Sequence, residues 1–144
     1  MTSKKDSVRT PSYITDALKK EFRTKTLYDP TPYNPNFKKG VHKDALTTEW
    51  GKIGGVVFIN PPYSHVKPFF EKSAIEWKKG KTVIMLCKLQ NIGSKYAKQW
   101  IKGAELRILS DKISFPGYGG RLPLFHNVIC IWRAGKRSQK YSVV

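Results

Sequence analysis

Two apolar runs, "VVFIN" at 56–60 and "KTVIMLCKL" at 81–89, bracket the stretch "HVKPFFEKSAIEWKKG", and this arrangement constrains the fold more than any other part of the chain. Both runs are continuous rather than alternating and are rich in β-branched residues, the pattern of strands buried on both faces. The stretch between them sets Val66, Phe69, Phe70, Ser73, Ala74 and Trp77 along one stripe and stops at Gly80, which predicts an amphipathic helix. Strand, helix, strand is a βαβ unit. "SKYAKQWIKG" reads as a further basic helix ending at Gly103, "AELRILSD" and "KISFPG" as shorter strands, and "FHNVICIWRA" as a long alternating one. The expectation is an α/β protein with a mostly parallel central sheet and flanking helices.

Upstream, "TPSYITDALKKEF" carries the signs of a helix start. Thr10 can cap the first turn, Pro11 suits the first helical position, and Ile14, Ala17, Leu18 and Phe22 fall on one face. A short extended piece at Thr26 to Tyr28 then runs into Pro30, Pro32 and Pro35, which forbid a helix. "KDALTTEWGKIGG" holds at most one helical turn before Gly54-Gly55. Residues 1–9 read as a disordered basic arm, 10–134 as one compact domain and 135–144 as a mobile basic tail.

Charge narrows the partner. Twenty-seven Lys and Arg against ten Asp and Glu give a net charge of +17, well beyond what solubility needs, which favours a polyanion such as nucleic acid. The bland alternative is a crowded lysine surface without a specific ligand. Aromatic residues, 12% of the chain, count against it, because bases stack on rings while lysines alone reach only phosphate. Cys87 and Cys130 each lie inside an apolar run and read as buried free thiols, with a spacing that suits no zinc site. No apolar run approaches the roughly 18 residues of a membrane span, and "MTSKKDSVRTP" lacks the apolar core of a signal peptide, so a soluble, intracellular protein is expected.

The chain leaves its first buried strand through Asn60-Pro61-Pro62-Tyr63. Ligands of open α/β sheets bind beyond the carboxyl ends of strands, which makes this segment a site candidate. The two prolines stiffen an extended backbone, so that the Asn60 amide and the Pro61 carbonyl can present two acceptors to an exocyclic amine, while Tyr63 adds an aromatic face for a planar base. Drawing on both amine protons leaves the nitrogen lone pair free for an electrophile, which is catalysis by positioning and electrostatics.

Asn-Pro-Pro-Tyr after a hydrophobic strand resembles the catalytic signature of S-adenosylmethionine-dependent amino-group methyltransferases. The order of further segments is similar to the compact, phage-type (Dam-like) DNA N6-adenine methyltransferases. "RTPSYITDALKKEF" resembles their opening Thr-Pro helix, "YDPTPYNP" their Asp-Pro-Cys-Pro segment and "KDALTTEWGK" their Asp-Gly-Leu-x-x-x-Trp. "GKTVIMLCKL" and "ISFPG" resemble their later strand and Arg-x-x-Phe region, with Lys112 in place of the usual arginine. The likeness covers roughly residues 9–134.

The resemblance implies a reduced Rossmann-like methyltransferase fold, S-adenosylmethionine as cofactor and double-stranded DNA as substrate. It implies that Asn60, Pro61 and Tyr63 hold a flipped adenine, with Pro62 shaping the loop, and that Thr10, Asp29, Pro30 and Asp44 lie on the cofactor side. Proteins of this compact pattern resemble phage or viral gene products. Each cofactor-side residue also has a local reading: Thr10 as a helix cap, Asp29 as a turn starter, Asp44 as a cap before Trp50; Trp50 and Trp77 read as core.

The chain departs from a complete methyltransferase in having no Gly-x-Gly after its first extended piece, and only about 30 residues separate Asp29 from Asn60, too few for two full βα units. The alternative is a catalytically inactive methyltransferase scaffold serving as a basic nucleic-acid-binding, packaging or accessory protein.

Overall fold

A computed structural model describes residues 10–31, 44–115, 122–136 and 140–144. Among the described residues three α-helices, α1 (Ser12–Glu21), α2 (Lys67–Lys78) and α3 (Lys95–Trp100), accompany five strands: β1 (Val56–Ile59), β2 (Thr82–Lys88), β3 (Glu105–Ile108), β4 (Asn127–Trp132) and β5 (Tyr141–Val143). They form one sheet in the order β1-β2-β4-β3-β5. The βαβ unit read from the sequence is present as β1-α2-β2, with β1 and β2 parallel.

The expected mostly parallel sheet is corrected to a mixed one. β4 is antiparallel to both β2 and β3, while β5 is parallel to β3. Four strands therefore share a direction, and β4, inserted between β2 and β3, opposes them. The strand-helix-strand rhythm reports only the crossovers, and β4 enters without one.

Period-two alternation decides which side chains face which helices. Val57 and Ile59 of β1, Val83, Met85 and Cys87 of β2, and Val128, Cys130 and Trp132 of β4 pack with Phe69 and Phe70 of α2. Phe58, Ile84, Leu86, Ile129 and Ile131 face the other way, onto Ile14 and Leu18 of α1. β2 and β4 are thus covered on both faces, and β4, read as alternating, is buried along its whole length. Trp50 is fully buried against Phe69, at 6.4 Å between ring centroids, and Trp77 donates from Nε1 to the Arg133 carbonyl, so both belong to the framework as expected. Cys87 and Cys130 are buried free thiols, and their mutual hydrogen bonding with burial pushes the Cys130 thiol well up.

Several local readings change. α1 starts one residue late, with Pro11 at the cap position and no side-chain cap, and the Thr10 hydroxyl accepts from Asn60 Nδ2. Ala17 is exposed rather than part of the buried face. Lys112 to Phe115 is not a strand: Ile113 and Phe115 plug the α1 side of the core, but both edges of β3 are already occupied, by β4 and β5. The rest of "KISFPG" lies outside the described residues, as does the 1–9 arm. Within the segment read as a tail, β5 pairs with β3 at the edge of the sheet.

At the edge opposite the strands' carboxyl ends, a buried ion network joins α2 to β2. Glu76 and Lys81 are both fully buried, and Lys81 Nζ lies 3.0 Å from Glu76 Oε1 and 3.4 Å from Glu49. Glu76 Oε1 also accepts the Trp50 backbone N–H at 2.5 Å, and Lys79 approaches Oε2 at 3.2 Å. Burial opposes ionisation of Glu76, but the Trp50 N–H with Lys81 and Lys79 outweighs it and holds the carboxyl below the usual range.

Candidate active site

Strand direction gathers the site. The carboxyl ends of β1, β2, β3 and β5 and the amino end of β4 lie along one edge of the sheet. Asn60 leaves β1 there, Lys88 closes β2, and Asn127 opens β4 directly opposite Lys88. Tyr28 lies alongside β1: its N–H donates to the Val56 carbonyl and its carbonyl accepts from Phe58 N–H, a parallel bridge to Val57 that sends Asp29 on towards the same edge.

Asn60 is half-buried, and its Nδ2 donates to Thr10 Oγ1 at 3.2 Å. With the nitrogen towards Thr10, Oδ1 lies on the other side. Oδ1 is buried and has no hydrogen-bond partner. A buried amide oxygen without a donor costs free energy on the order of 1–3 kcal/mol, so it marks a position that a ligand donor can fill. Thr10 and Asn60, 50 residues apart, are therefore a direct pair, and Thr10 is not the helix cap.

Pro61 is buried, Pro62 half-buried, and Tyr63 opens a short 3₁₀ turn to His65 that leads into α2. The Tyr63 ring is held edge-on by Phe125 (5.4 Å) and Phe115 (6.3 Å). Lys88 Nζ lies over the Tyr63 ring, 5.1 Å from its centroid, and 4.5 Å from that of Phe125. Asn127 is fully buried; its Nδ2 donates to the Cys87 carbonyl at 3.1 Å and lies 3.5 Å from the Tyr63 hydroxyl. On the α2 side of Tyr63 a cavity of about 610 Å³ opens between His65, Lys67, Gln90, Asn91 and Ser94.

The cofactor-side candidates divide. Asp29 stands at the same edge as Asn60, exposed, with Oδ1 accepting from the Thr31 backbone N–H (2.8 Å) and hydroxyl (3.1 Å). Desolvation nonetheless pushes its carboxyl up, against the lowering effect of those two bonds. Pro30 follows it, half-buried. Asp44 caps a turn, accepting Leu46 N–H at 2.9 Å, which is its local reading. Among the described residues no cluster of His, Cys, Asp or Glu could hold a metal ion, and no helix is long and apolar enough to cross a membrane.

Lys88, Asn127 and Phe125 were not singled out from the sequence. The signal available was a polar residue closing "VIMLCK" and another opening "NVICIW", each at the end of a run that is otherwise apolar. Their meeting depends on β4 lying beside β2, which no local pattern reports.

Comparison with known proteins gives a family and no individual relative. Neither the curated proteins nor the solved structures contain a match to the chain. The family model described as DNA N-6-adenine-methyltransferase (Dam) matches residues 1–128 of the 144, taking in α1, the Asp29 segment, the whole β1-α2-β2 unit and the opening of β4. The chain belongs to the Dam family of DNA N-6-adenine methyltransferases.

Proposed function

We propose that this protein methylates the N6 amino group of adenine in DNA, with S-adenosylmethionine as methyl donor, at Asn60-Pro61-Pro62-Tyr63. The observation that carries the reading is the buried, unpartnered Asn60 Oδ1 at the carboxyl edge of the sheet of a Dam-family chain. An N6 amine has two protons to donate. Asn60 Oδ1 takes one and the Pro61 carbonyl the other, which fixes the amine and raises the electron density on its nitrogen. Thr10 anchors the Asn60 side chain by accepting from Nδ2, and Tyr63 supplies the ring against which an extruded base rests. A paired adenine cannot reach this recess, so the base leaves the duplex, and the +17 charge offsets the phosphates that come with it.

The residues at the edge fit the cofactor chemically. S-adenosylmethionine presents an ammonium group, ribose hydroxyls and an aromatic amine, all donors, and Asp29 offers a carboxylate oxygen that Thr31 does not engage. We assign the cofactor side to Thr10, Asp29, Pro30 and Asp44, the last through the oxygen that does not cap its turn. When bound, the cofactor supplies an electron-poor methyl group. The reduced Rossmann-like methyltransferase architecture belongs to the same reading, supported by the β1-α2-β2 unit and by the site's position at the strands' carboxyl ends.

Replacing Asn60 by Ala tests this directly. Methyl incorporation into DNA is expected to fall by at least about 10²-fold, the scale of losing one oriented polar group, while salt-sensitive DNA binding stays near wild type. Equal loss of both would make the loop structural. DNA binding by wild type without any methyl transfer would leave the second reading, an inactive binding protein, which the short cofactor side of the sequence favours.

A further inference from the structure

Lys88 has an unusual place for a lysine. It ends β2, a strand whose preceding five residues are entirely buried, and its ammonium group rests over two aromatic rings, 4.5 Å from the centroid of Phe125 and 5.1 Å from that of Tyr63. The acidic side chains that form ion pairs among the described residues, Glu21, Glu49, Glu76 and Glu105, are taken by Lys72, Lys79, Lys81, Arg107 and Arg133. Lys88 has none of them. Ring faces attract a cation by only about 0.5–2 kcal/mol, so this charge is held weakly and remains available to an anion. Tyr63 is the ring that an extruded base would meet.

We propose that Lys88 binds the DNA phosphate flanking the extruded adenine, and that the Tyr63–Phe125 pair is where its ammonium waits before DNA arrives. The inference rests on the function proposed above. A base brought to Asn60 and Tyr63 carries its own phosphates to this edge, where Lys88 is half-buried and already beside the ring. An ammonium–phosphate contact is a charge-assisted hydrogen bond, stronger than the contact with the rings, so Lys88 moves from one to the other. Base insertion and phosphate capture are then coupled: the base needs the ring face that the lysine vacates.

The test uses the full chain and a 20-base-pair duplex carrying 2-aminopurine opposite an abasic position, where extrusion is inexpensive and raises the emission. Binding is titrated across a salt series for wild type, Lys88→Met, Lys88→Gln, Lys88→Arg and, as a control at the opposite sheet edge, Lys52→Met. Thermal melts show which variants are folded, and Lys88→Met keeps the apolar stem on the rings. The slope of log K against log[salt] is expected to be shallower by about 0.9 in Lys88→Met and Lys88→Gln, and unchanged in Lys88→Arg and Lys52→Met. A wild-type slope in folded Lys88→Met and Lys88→Gln overturns the proposal, as does a Lys88→Arg slope as shallow as theirs, which would indicate a packing role. If wild type methylates DNA and only the slopes fail, the proposed function stands and Lys88 is wrong. A wild type that neither binds the duplex nor methylates DNA removes both.

Discussion

Replacing Glu76 by Leu removes the acceptor for two fully buried groups at once. Lys81, with no exposed surface, keeps only the exposed Glu49 at 3.4 Å, and the Trp50 backbone N–H loses its partner. Breaking a buried ion pair from one side costs about 3–5 kcal/mol. For a chain of this size each kcal/mol moves Tm by about 2–4 °C, so the single variant is expected to melt about 6–20 °C below wild type. The double variant Glu76→Leu/Lys81→Met removes both charges and is expected to recover most of that loss, since apolar replacements of a buried pair are often neutral or stabilising. Calorimetry or circular dichroism melts of the two singles and the double give the coupling energy.

The same network sets an acid limit. Glu76 has a folded-state pKa below its unfolded value, so its contribution is present above the unfolded pKa and is lost as pH falls through the folded one. Wild-type Tm should therefore fall relative to that of the double variant, which lacks the carboxylate, below about pH 4, near the ordinary glutamate value. Additive single effects, or a gap independent of pH, would refute the reasoning.

Two further outcomes follow from other parts of the molecule. Arg23 follows α1 with φ of 51°, a left-handed conformation that costs an L-residue about 1–2 kcal/mol, and its side chain makes no hydrogen bond or ion pair among the described residues; glycine's extra chain entropy offsets about 0.5–1 kcal/mol of the gain, so Arg23→Gly should raise Tm by about 1–4 °C. A lowered Tm would show that the arginine has a stabilising role the geometry does not reveal. Neutralising Lys136, Arg137 and Lys140 together should weaken binding to all DNA sequences alike and reduce the salt slope by about 2–3, whereas an unchanged slope would put this end of the chain off the DNA path.

The parts of the fold visible in the sequence are those written in single segments. "VVFI" and "TVIMLC" are continuous apolar runs because both faces of their strands are covered, and the stripe from Val66 to Ala74 is periodic because one face of α2 meets the sheet. Gly103 stops the chain after α3 with φ of 87° at a point where a Cβ would meet Trp77 at 2.9 Å, which explains the glycine expected there. What the sequence hid depends on partners. Ile113 and Phe115 alternate with polar neighbours as a strand would, but the ladder positions beside β3 belong to others. β5 was hidden in a basic segment because an edge strand of three exposed residues carries no burial signal. In the site, Asn60 was legible from its place after β1, whereas the Thr10 contact joins residues 50 positions apart and the Lys88–Asn127 pair needs the insertion of β4.

The account stands or falls on whether this chain places a methyl group on adenine N6. The most direct measurement incubates the purified protein with unmethylated plasmid DNA and S-adenosylmethionine carrying a labelled methyl group, then digests the DNA to nucleosides and separates them by chromatography with mass detection. The account predicts labelled N6-methyldeoxyadenosine, with no label in cytosine, and its loss in Asn60→Ala. DNA that is bound but carries no label, together with no calorimetric signal for the cofactor at millimolar concentration, would contradict it.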